Sequence, residues 1–460
     1  MNQLLTLSKE EMRAMGYRVI DVLVEHLATL QDQPVGAKGE PMDLLKRFAG
    51  PVPEEGVSFD SLLDTVQTDV LANTMHVNHP RFFAYVPGPS NYVSVLAEAL
   101  ATGFNVFAGT WISGSGAAAV ELQTIHWLTQ LCGMPQGAGG LFVSGGTMAN
   151  LTGLAAARQV KLGEHDASAV VYCSDQVHSA VYKSLRLLGF LPEQVRTLRS
   201  DDQFRLPLTD LVTAIETDRS NGKRPFCIIA TAGTTNTGAV DPIADLAELA
   251  RSRDLWLHVD GAYGAASVIC ERGKSLLKGL GEADSLSLDP HKWLFQPFET
   301  GCILVRRAAD LTSTFRVLPE YLKDTHAVTD QINLTDYGLQ LTRSFRALKL
   351  WMSMRYFGLA AFRAAVKRGF ELAEFAESKI RQMPGWEIVT AAQMGVVCFR
   401  YQGRDEAFHL KLVQRVIADG YALITSTNLR GVTSLRMCLI NPRTSEDDIT
   451  QSLSRLNDLV

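Results

Sequence analysis

Three apolar runs that each break off in a polar turn constrain this chain more than any other feature. Ala169-Val-Val-Tyr-Cys173 ends in Ser174-Asp-Gln-Val-His178, and a helical stretch follows from Ser179 to Leu188. Phe226-Cys-Ile-Ile-Ala-Thr231 ends in Ala232-Gly-Thr-Thr235, and Leu255-Trp-Leu-His-Val-Asp260 ends in Gly261-Ala262-Tyr263-Gly264. Short continuous apolar runs alternating with helices predict a mostly parallel sheet covered on both faces, an α/β fold. Ligands of such sheets bind at the carboxyl ends of the strands, where these polar endings collect.

Two further segments belong to the same pattern. Gly140-Leu-Phe-Val143 predicts a strand, Ser144-Gly145-Gly146-Thr147 a tight turn, and Met148 to Arg158 an alanine-rich helix. Glycines before a helix expose backbone N–H groups, and Thr147 adds a hydroxyl, which together suit a phosphate. The turn carries no lysine, so the phosphate reads as an anchor rather than a transferred group. Ser285 to Leu288 predicts a short strand that stops at Pro290 and delivers His291 and Lys292 into a turn, and Cys302 to Val305 predicts the next strand. A lysine set among Trp293 and Phe295 loses proton affinity, because desolvation disfavours the ammonium, and a neutral amine is what Schiff-base chemistry needs. Thr147, His178, Thr235, Asp260 and Lys292 all fall at predicted strand ends.

Other motifs fail on inspection. Gly114-Ser-Gly116-Ala-Ala-Ala119 resembles a dinucleotide fingerprint, yet no acidic residue stands between Glu121 and Glu164 to take a ribose. Gly273-Lys274-Ser275 has the tail of a P-loop, but Val268 occupies the place of its first glycine. His76 and His79 have no further ligand at useful spacing, so no metal site is expected.

The 460 residues suffice for more than one domain. A net charge of −5 gives no reason to expect nucleic acid or an anionic membrane as partner. No apolar run approaches the roughly 20 residues of a bilayer span. The start of the chain lacks the pattern of a secretory signal. The seven cysteines are scattered and contain no CxxC pair, so a reduced, cytoplasmic protein is expected. Ser8 with Glu11 forms a capping pattern, and the stretch to about Gln31 has helically spaced apolar residues. Arg316 to Gly338, which contains Tyr321, reads as a long loop, and long loops inside compact proteins are often lids. Helices are expected from Thr342 to about Gln382. The tail alternates strands and helices, including strands at Tyr421 to Ile424 and Ser434 to Ile440 and a capped helix from Ser445. Tyr85, Phe104 and Phe107 are candidates for an apolar substrate pocket.

Four motifs taken together, Asp289-Pro-His-Lys292-Trp, His258-Val-Asp260-Gly-Ala262-Tyr, Ser174-Asp-Gln-Val-His178-Ser and Pro319-Glu-Tyr321-Leu-Lys, resemble the aromatic-L-amino-acid decarboxylases among the group II decarboxylases that depend on pyridoxal 5′-phosphate (PLP). The resemblance covers nearly the whole length. It implies a fold-type I enzyme with a helical dimerisation segment over residues 1–75, a large PLP-binding domain over 76–345 and a small α+β domain over 346–460. It implies that Lys292 anchors PLP covalently and that Asp260 pairs with the pyridine nitrogen. His178 would stack on the ring and Ala262 pack its opposite face. His291, Thr147 and the backbone of Gly145 and Gly146 would hold the phosphate, with Thr235 nearby and Tyr321 as proton donor to Cα. Tyr321 and His178 are both present, which favours simple decarboxylation over aldehyde formation. Thr342 stands where the family often carries glycine or serine, and its bulk favours phenolic over indolic side chains. Asp289 sits awkwardly beside a phosphate site, so its carboxylate is expected to point elsewhere. A homodimer is implied, with an L-amino acid as substrate. An aldehyde synthase, a decarboxylase of aliphatic or acidic amino acids, and a non-catalytic regulator are the alternatives.

Overall fold

The computed structural model describes residues 5–317 and 331–460. Ser8 caps helix α1 (Lys9–Thr29) with the expected reciprocal bonds, Ser8 Oγ accepting from Glu11 N and Glu11 Oε2 accepting from Ser8 N. Neither α1 nor α2 (Pro41–Phe48) buries a single residue within the chain. Helices α3 (Phe59–Thr65), α4 (Tyr92–Gly103) and α5 (Trp111–Leu131) lead into the main sheet.

That sheet has seven strands, β1 (Gly139–Val143), β2 (Ala169–Ser174), β3 (Val195–Leu198), β4 (Arg224–Thr231), β5 (Trp256–Asp260), β6 (Ser285–Leu288) and β7 (Gly301–Val305), in the order β1-β7-β6-β5-β4-β2-β3. Six of the strands run in one direction and β7 alone runs against them. The helices α6 (Gly146–Leu162), α7 (Ser179–Leu187), α8 (Leu208–Ser220), α9 (Ile243–Ser252), α10 (Glu271–Leu276) and α11 (Ala308–Phe315) accompany it. Along β4, Cys227 and Ile229 pack with Leu154, Val181 and Ile303 on one face, while Ile228 and Ala230 pack with Ile243 and Leu246 on the other. Burial on both faces is why these strands read as unbroken apolar runs.

The expected helices after Thr342 form α12 (Ala347–Gln382), two helical segments that meet at a kink where Gly358 is non-helical, with φ +74°. A four-stranded antiparallel sheet follows, β10-β11-β9-β8, built from β8 (Trp386–Gln393), β9 (Val396–Tyr401), β10 (Thr425–Leu429) and β11 (Val432–Cys438) with α13 (Glu406–Asp419) and α14 (Glu446–Asp458). The strand expected over Tyr421 to Ile424 is displaced: β10 begins at Thr425. Leu423 instead exchanges backbone hydrogen bonds with Arg81 O and Phe83 N, tying the segment after α3 to the small sheet. Among the described residues no helix is long and apolar enough to cross a membrane.

Candidate active site

The carboxyl ends of β1, β2, β4, β5 and β6 open on one cleft of about 330 Å³. Nine residues singled out as cofactor contacts all line it: Gly145, Gly146, Thr147, His178, Thr235, Asp260, Ala262, His291 and Lys292. They come from five loops separated by up to about 150 positions, and the parallel sheet is what brings them to one edge.

At the floor of the cleft, α6 starts directly after β1. A Cβ added to Gly146 would stand 2.9 Å from Asp289 Oδ2 and 3.0 Å from the Ala262 methyl, and one on Gly145 3.2 Å from His291 Cε1. The bare backbone therefore leaves the first N–H groups of a 17-residue helix facing the cleft, at the positive end of its dipole. His291 Nδ1 accepts from Thr300 N (3.1 Å), which places a neutral ring's proton on Nε2. Burial lowers the His291 pKa, against the opposing pull of Asp289.

Asp260, 6% exposed, ends β5. Its Oδ1 accepts from Ser287 Oγ (3.0 Å) and Ala262 N (3.2 Å), and its Oδ2 from Asn150 Nδ2 (3.0 Å). His178 caps α7 through Nδ1, which accepts from Ala180 N (3.1 Å). That bond leaves Nε2 to carry the proton of the neutral ring. Desolvation by the surrounding protein lowers its pKa, while Asp260 raises it by less.

Lys292 follows a turn closed by its own N–H on Asp289 O (2.9 Å). Trp293 and Phe295 are buried in the core, Trp293 stacked on Tyr263 with ring centroids 5.3 Å apart. The Lys292 amine faces a carboxylate instead: Asp289 Oδ2 lies 3.0 Å from Nζ. The expectation that this carboxylate points away from the site is therefore corrected. The ammonium three residues on and the N-terminus of α6 both draw it in, and its Oδ1 is buried without a partner.

Sequence reasoning also passed over Asn150, which lines the cleft, and Glu299, whose Oε1 accepts from Arg346 at the rim. Asn150 sits on the first turn of an alanine-rich helix, and a polar residue on such a buried face is the signal that marks it.

Tyr85, Phe104, Phe107 and Thr342 do not line the cleft of their own chain. Tyr85 and Phe104 are 65% and 79% exposed. Thr342 is exposed beside the buried Arg343, and Phe107 is half-buried against Gly109. Tyr321 lies outside the described residues. Among the described residues no group of three or more His, Cys, Asp or Glu side chains is placed to hold a metal ion.

A family model described as the pyridoxal-dependent decarboxylase conserved domain matches residues 41–402. The chain belongs to this family. An aromatic-L-amino-acid decarboxylase from Bacillus atrophaeus is 44% identical, with 100% of this chain and 97% of that protein covered. The crystal structure of Oryza sativa TDC with PLP and tryptamine superposes with a TM-score of 0.93 at 27% identity, covering 99% of each chain. The Rhodiola rosea 4-hydroxyphenylacetaldehyde synthase structure gives 0.91 at 28% identity, covering 98% of each.

The donor set of this decarboxylase cleft fits PLP. The bare turn at Gly145 and Gly146 suits the phosphate, the Asp260 carboxylate suits a protonated ring nitrogen, and the Lys292 amine suits the aldehyde.

Proposed function

We propose that the protein decarboxylates an aromatic L-amino acid, phenolic in preference to indolic, to the corresponding amine and CO2. The observation that carries this reading is the meeting of Lys292, Asp260 and His178 in one cleft with the bare Gly145–Gly146 turn. Full-length similarity to an aromatic-L-amino-acid decarboxylase supports the substrate class.

PLP supplies an electron sink for the pair released when the α-carboxylate leaves. The chain's own residues do the rest. Lys292 would hold the cofactor covalently. Asp260, acceptor-only when ionised, would keep the ring nitrogen protonated by electrostatic stabilisation. Gly145 and Gly146 N–H, the Thr147 hydroxyl and His291 Nε2–H would bind the phosphate, with Thr235 nearby. His178 would supply a flat ring on one side of the cofactor and an Nε2–H for the substrate, and the small Ala262 would pack the other side. Tyr321 would be the proton donor to Cα.

The working unit in this reading is a homodimer in the cytoplasm, with residues 1–75 exchanged between copies, 76–345 binding PLP and 346–460 forming the small domain. Two helices that bury nothing within their own chain support the exchange. So do the exposed Tyr85 and Phe104, which a second copy can cover and use as substrate contacts. Seven free, buried cysteines suit a reduced compartment.

Likeness to an aldehyde synthase makes oxidative decarboxylation–deamination to the aldehyde the second reading. A CO2-release screen over the protein amino acids and L-DOPA, with ammonia and peroxide measured alongside, decides between the two. Borohydride reduction should label the peptide that contains Lys292. Amine formation from tyrosine or L-DOPA without peroxide is expected; equimolar peroxide and ammonia, or CO2 from aliphatic amino acids alone, overturns the reading.

A further inference from the structure

Behind Asp260 runs a file of buried polar side chains that the chemistry above does not use. Asn150 Nδ2 donates to Asp260 Oδ2 (3.0 Å), and Asn150 Oδ1 lies 2.8 Å from His258 Nε2. His258 Nδ1 lies 2.7 Å from Ser285 Oγ, which accepts from Trp256 Nε1 (2.8 Å). Asn150, His258, Ser285 and Trp256 are each at most 1% exposed.

The strand register builds this file. His258 pairs with Ser285 across β5 and β6, and Asp260 pairs with Ser287 two residues on, so the two serines meet the two acid–base side chains on one face. Helix α6 crosses that face with Asn150 on its first turn. One turn later Gly153 makes room for the imidazole: a Cβ there would stand 2.9 Å from His258 Cε1 and 3.0 Å from Nδ1.

The protons can be placed by elimination. An indole N–H only donates, so Ser285 Oγ takes that bond and gives its own proton to His258 Nδ1. Burial keeps the imidazole neutral, its pKa pushed down to about 4, so the single ring proton is on Nε2. Nε2–H then donates to Asn150 Oδ1, and the amide nitrogen donates to Asp260. Every donor finds one acceptor, and the file ends on a carboxylate oxygen. The reverse arrangement begins with a protonated Asp260 donating to a flipped Asn150. It ends with two N–H groups on Ser285 Oγ and the buried hydroxyl proton without an acceptor among the described hydrogen bonds.

We propose that Asn150 and His258 are positioning residues that keep Asp260 an acceptor toward the ring nitrogen of PLP and thereby hold the proton on that nitrogen. The proposal rests on the assignment of Asp260 as partner of the ring nitrogen made above. Asn150 touches Asp260 directly, and His258 acts through Asn150 by fixing which end of the amide faces the carboxylate.

The test compares the affinity of the apoenzyme for PLP with its affinity for the carbocyclic analogue whose ring nitrogen is replaced by C–H, both followed by quenching of tryptophan fluorescence. The wild-type protein should prefer PLP. In Asn150→Leu that preference should shrink by about tenfold, the loss of one hydrogen bond to a charged group, with the affinity for the analogue changed by less than about twofold. His258→Leu should show the same selective loss, and it serves as the second variant should Asn150→Leu not fold. Equal weakening of both ligands, or an unchanged preference, overturns the proposal, because a merely structural role cannot distinguish one ring atom. Asp260→Asn separates the two levels. If it keeps the preference, the assignment of Asp260 fails; if it loses the preference while Asn150→Leu and His258→Leu keep it, only the role of the file fails.

Discussion

Asp289 Oδ2 lies 3.0 Å from Lys292 Nζ and 2.9 Å from where a Cβ of Gly146 would stand, so one carboxylate touches both the amine and the turn proposed to hold the phosphate. It therefore pairs with the amine and opposes an incoming anion. At an effective dielectric of about 20, a unit charge is worth about 1–2 kcal/mol even at roughly 10 Å, or about tenfold in binding, and more at closer range. Asp289→Asn should tighten the binding of inorganic phosphate to the apoenzyme by about tenfold or more, followed by quenching of tryptophan fluorescence. Unchanged or weaker phosphate binding would show that the carboxylate does not face the anion.

Glycine-to-alanine changes in two helices should have opposite signs. On α1, an added methyl at Gly16 meets nothing within 4 Å in the chain, so Gly16→Ala should stabilise by about 0.5–1 kcal/mol through helix propensity. On α6, Gly153→Ala puts a methyl 2.9 Å from both His258 Cε1 and Ile303 Cδ1, and overpacking of that kind costs about 1–3 kcal/mol. Urea midpoints of the two variants measure this contrast. A destabilising Gly16→Ala would instead point to a close approach by a second copy along α1.

The carboxyl-edge residues were legible because β2, β4, β5 and β6 lie inside the sheet. Strands buried on both faces are largely apolar, as β2, β4 and β5 are, so the polar turn after each marks the cleft. β6 buries Ser285 and Ser287 and is read instead from its stop at Pro290. β3 escaped notice for the converse reason. As an edge strand of four partly exposed residues it carries Arg196 and Thr197, and its sequence looks like a loop. The onset of β10 was misplaced because Leu423 is apolar for a contact with the Arg81–Phe83 segment, not for the small sheet. Asp289 was misjudged because electrostatics with the phosphate site alone ignored its neighbour Lys292. The aromatic candidates Tyr85 and Phe104 show a further limit: residue type marks them as apolar, but spacing cannot say that their own chain leaves them uncovered.

Acid should destabilise the apoenzyme before ordinary carboxylates titrate. Burial pushes His258 and His79 down from 6.5 to about 4, so between those values the unfolded chain binds more protons and stability is lost as pH falls. At about 1.4 kcal/mol per unit this is roughly 3 kcal/mol for each histidine at full effect. Asp241 acts oppositely: burial raises it from 3.8 to about 6, so the folded chain binds more protons in that window and regains about 3 kcal/mol as pH falls through it. Two losses against one gain leave a net loss of about 3 kcal/mol by pH 4, beginning near pH 6.5, before the Asp241 gain sets in. Urea midpoints at pH 7, 6 and 4.5 should fall in that order, and a flat series would contradict the assignment of buried neutral histidines.

Arg343 offers a test of how the segment around Thr342 is held. Its guanidinium is 1% exposed and donates to Ala108 O (2.6 Å), Phe142 O (2.9 Å) and Glu121 Oε1 (2.5 Å), while its own carbonyl accepts from Ala108 N (3.0 Å). One side chain thus ties the 342 segment to the loop that carries Phe107 and to strand β1. Arg343→Leu leaves Glu121, wholly buried, without its cation, and breaking such a pair costs about 3–5 kcal/mol. Arg343→Lys should not rescue it, because a single ammonium cannot reproduce the fork that reaches two carbonyls and a carboxylate. Adding Glu121→Leu to Arg343→Leu removes the stranded charge and should recover most of the loss. The double variant should still bind PLP, since neither residue lines the cleft. If Thr342 and Phe107 shape the substrate side, as expected from the sequence, KM for the amino acid should rise in that variant while cofactor affinity stays unchanged. Parallel loss of both would mean that Arg343 supports the whole large sheet rather than the substrate side alone.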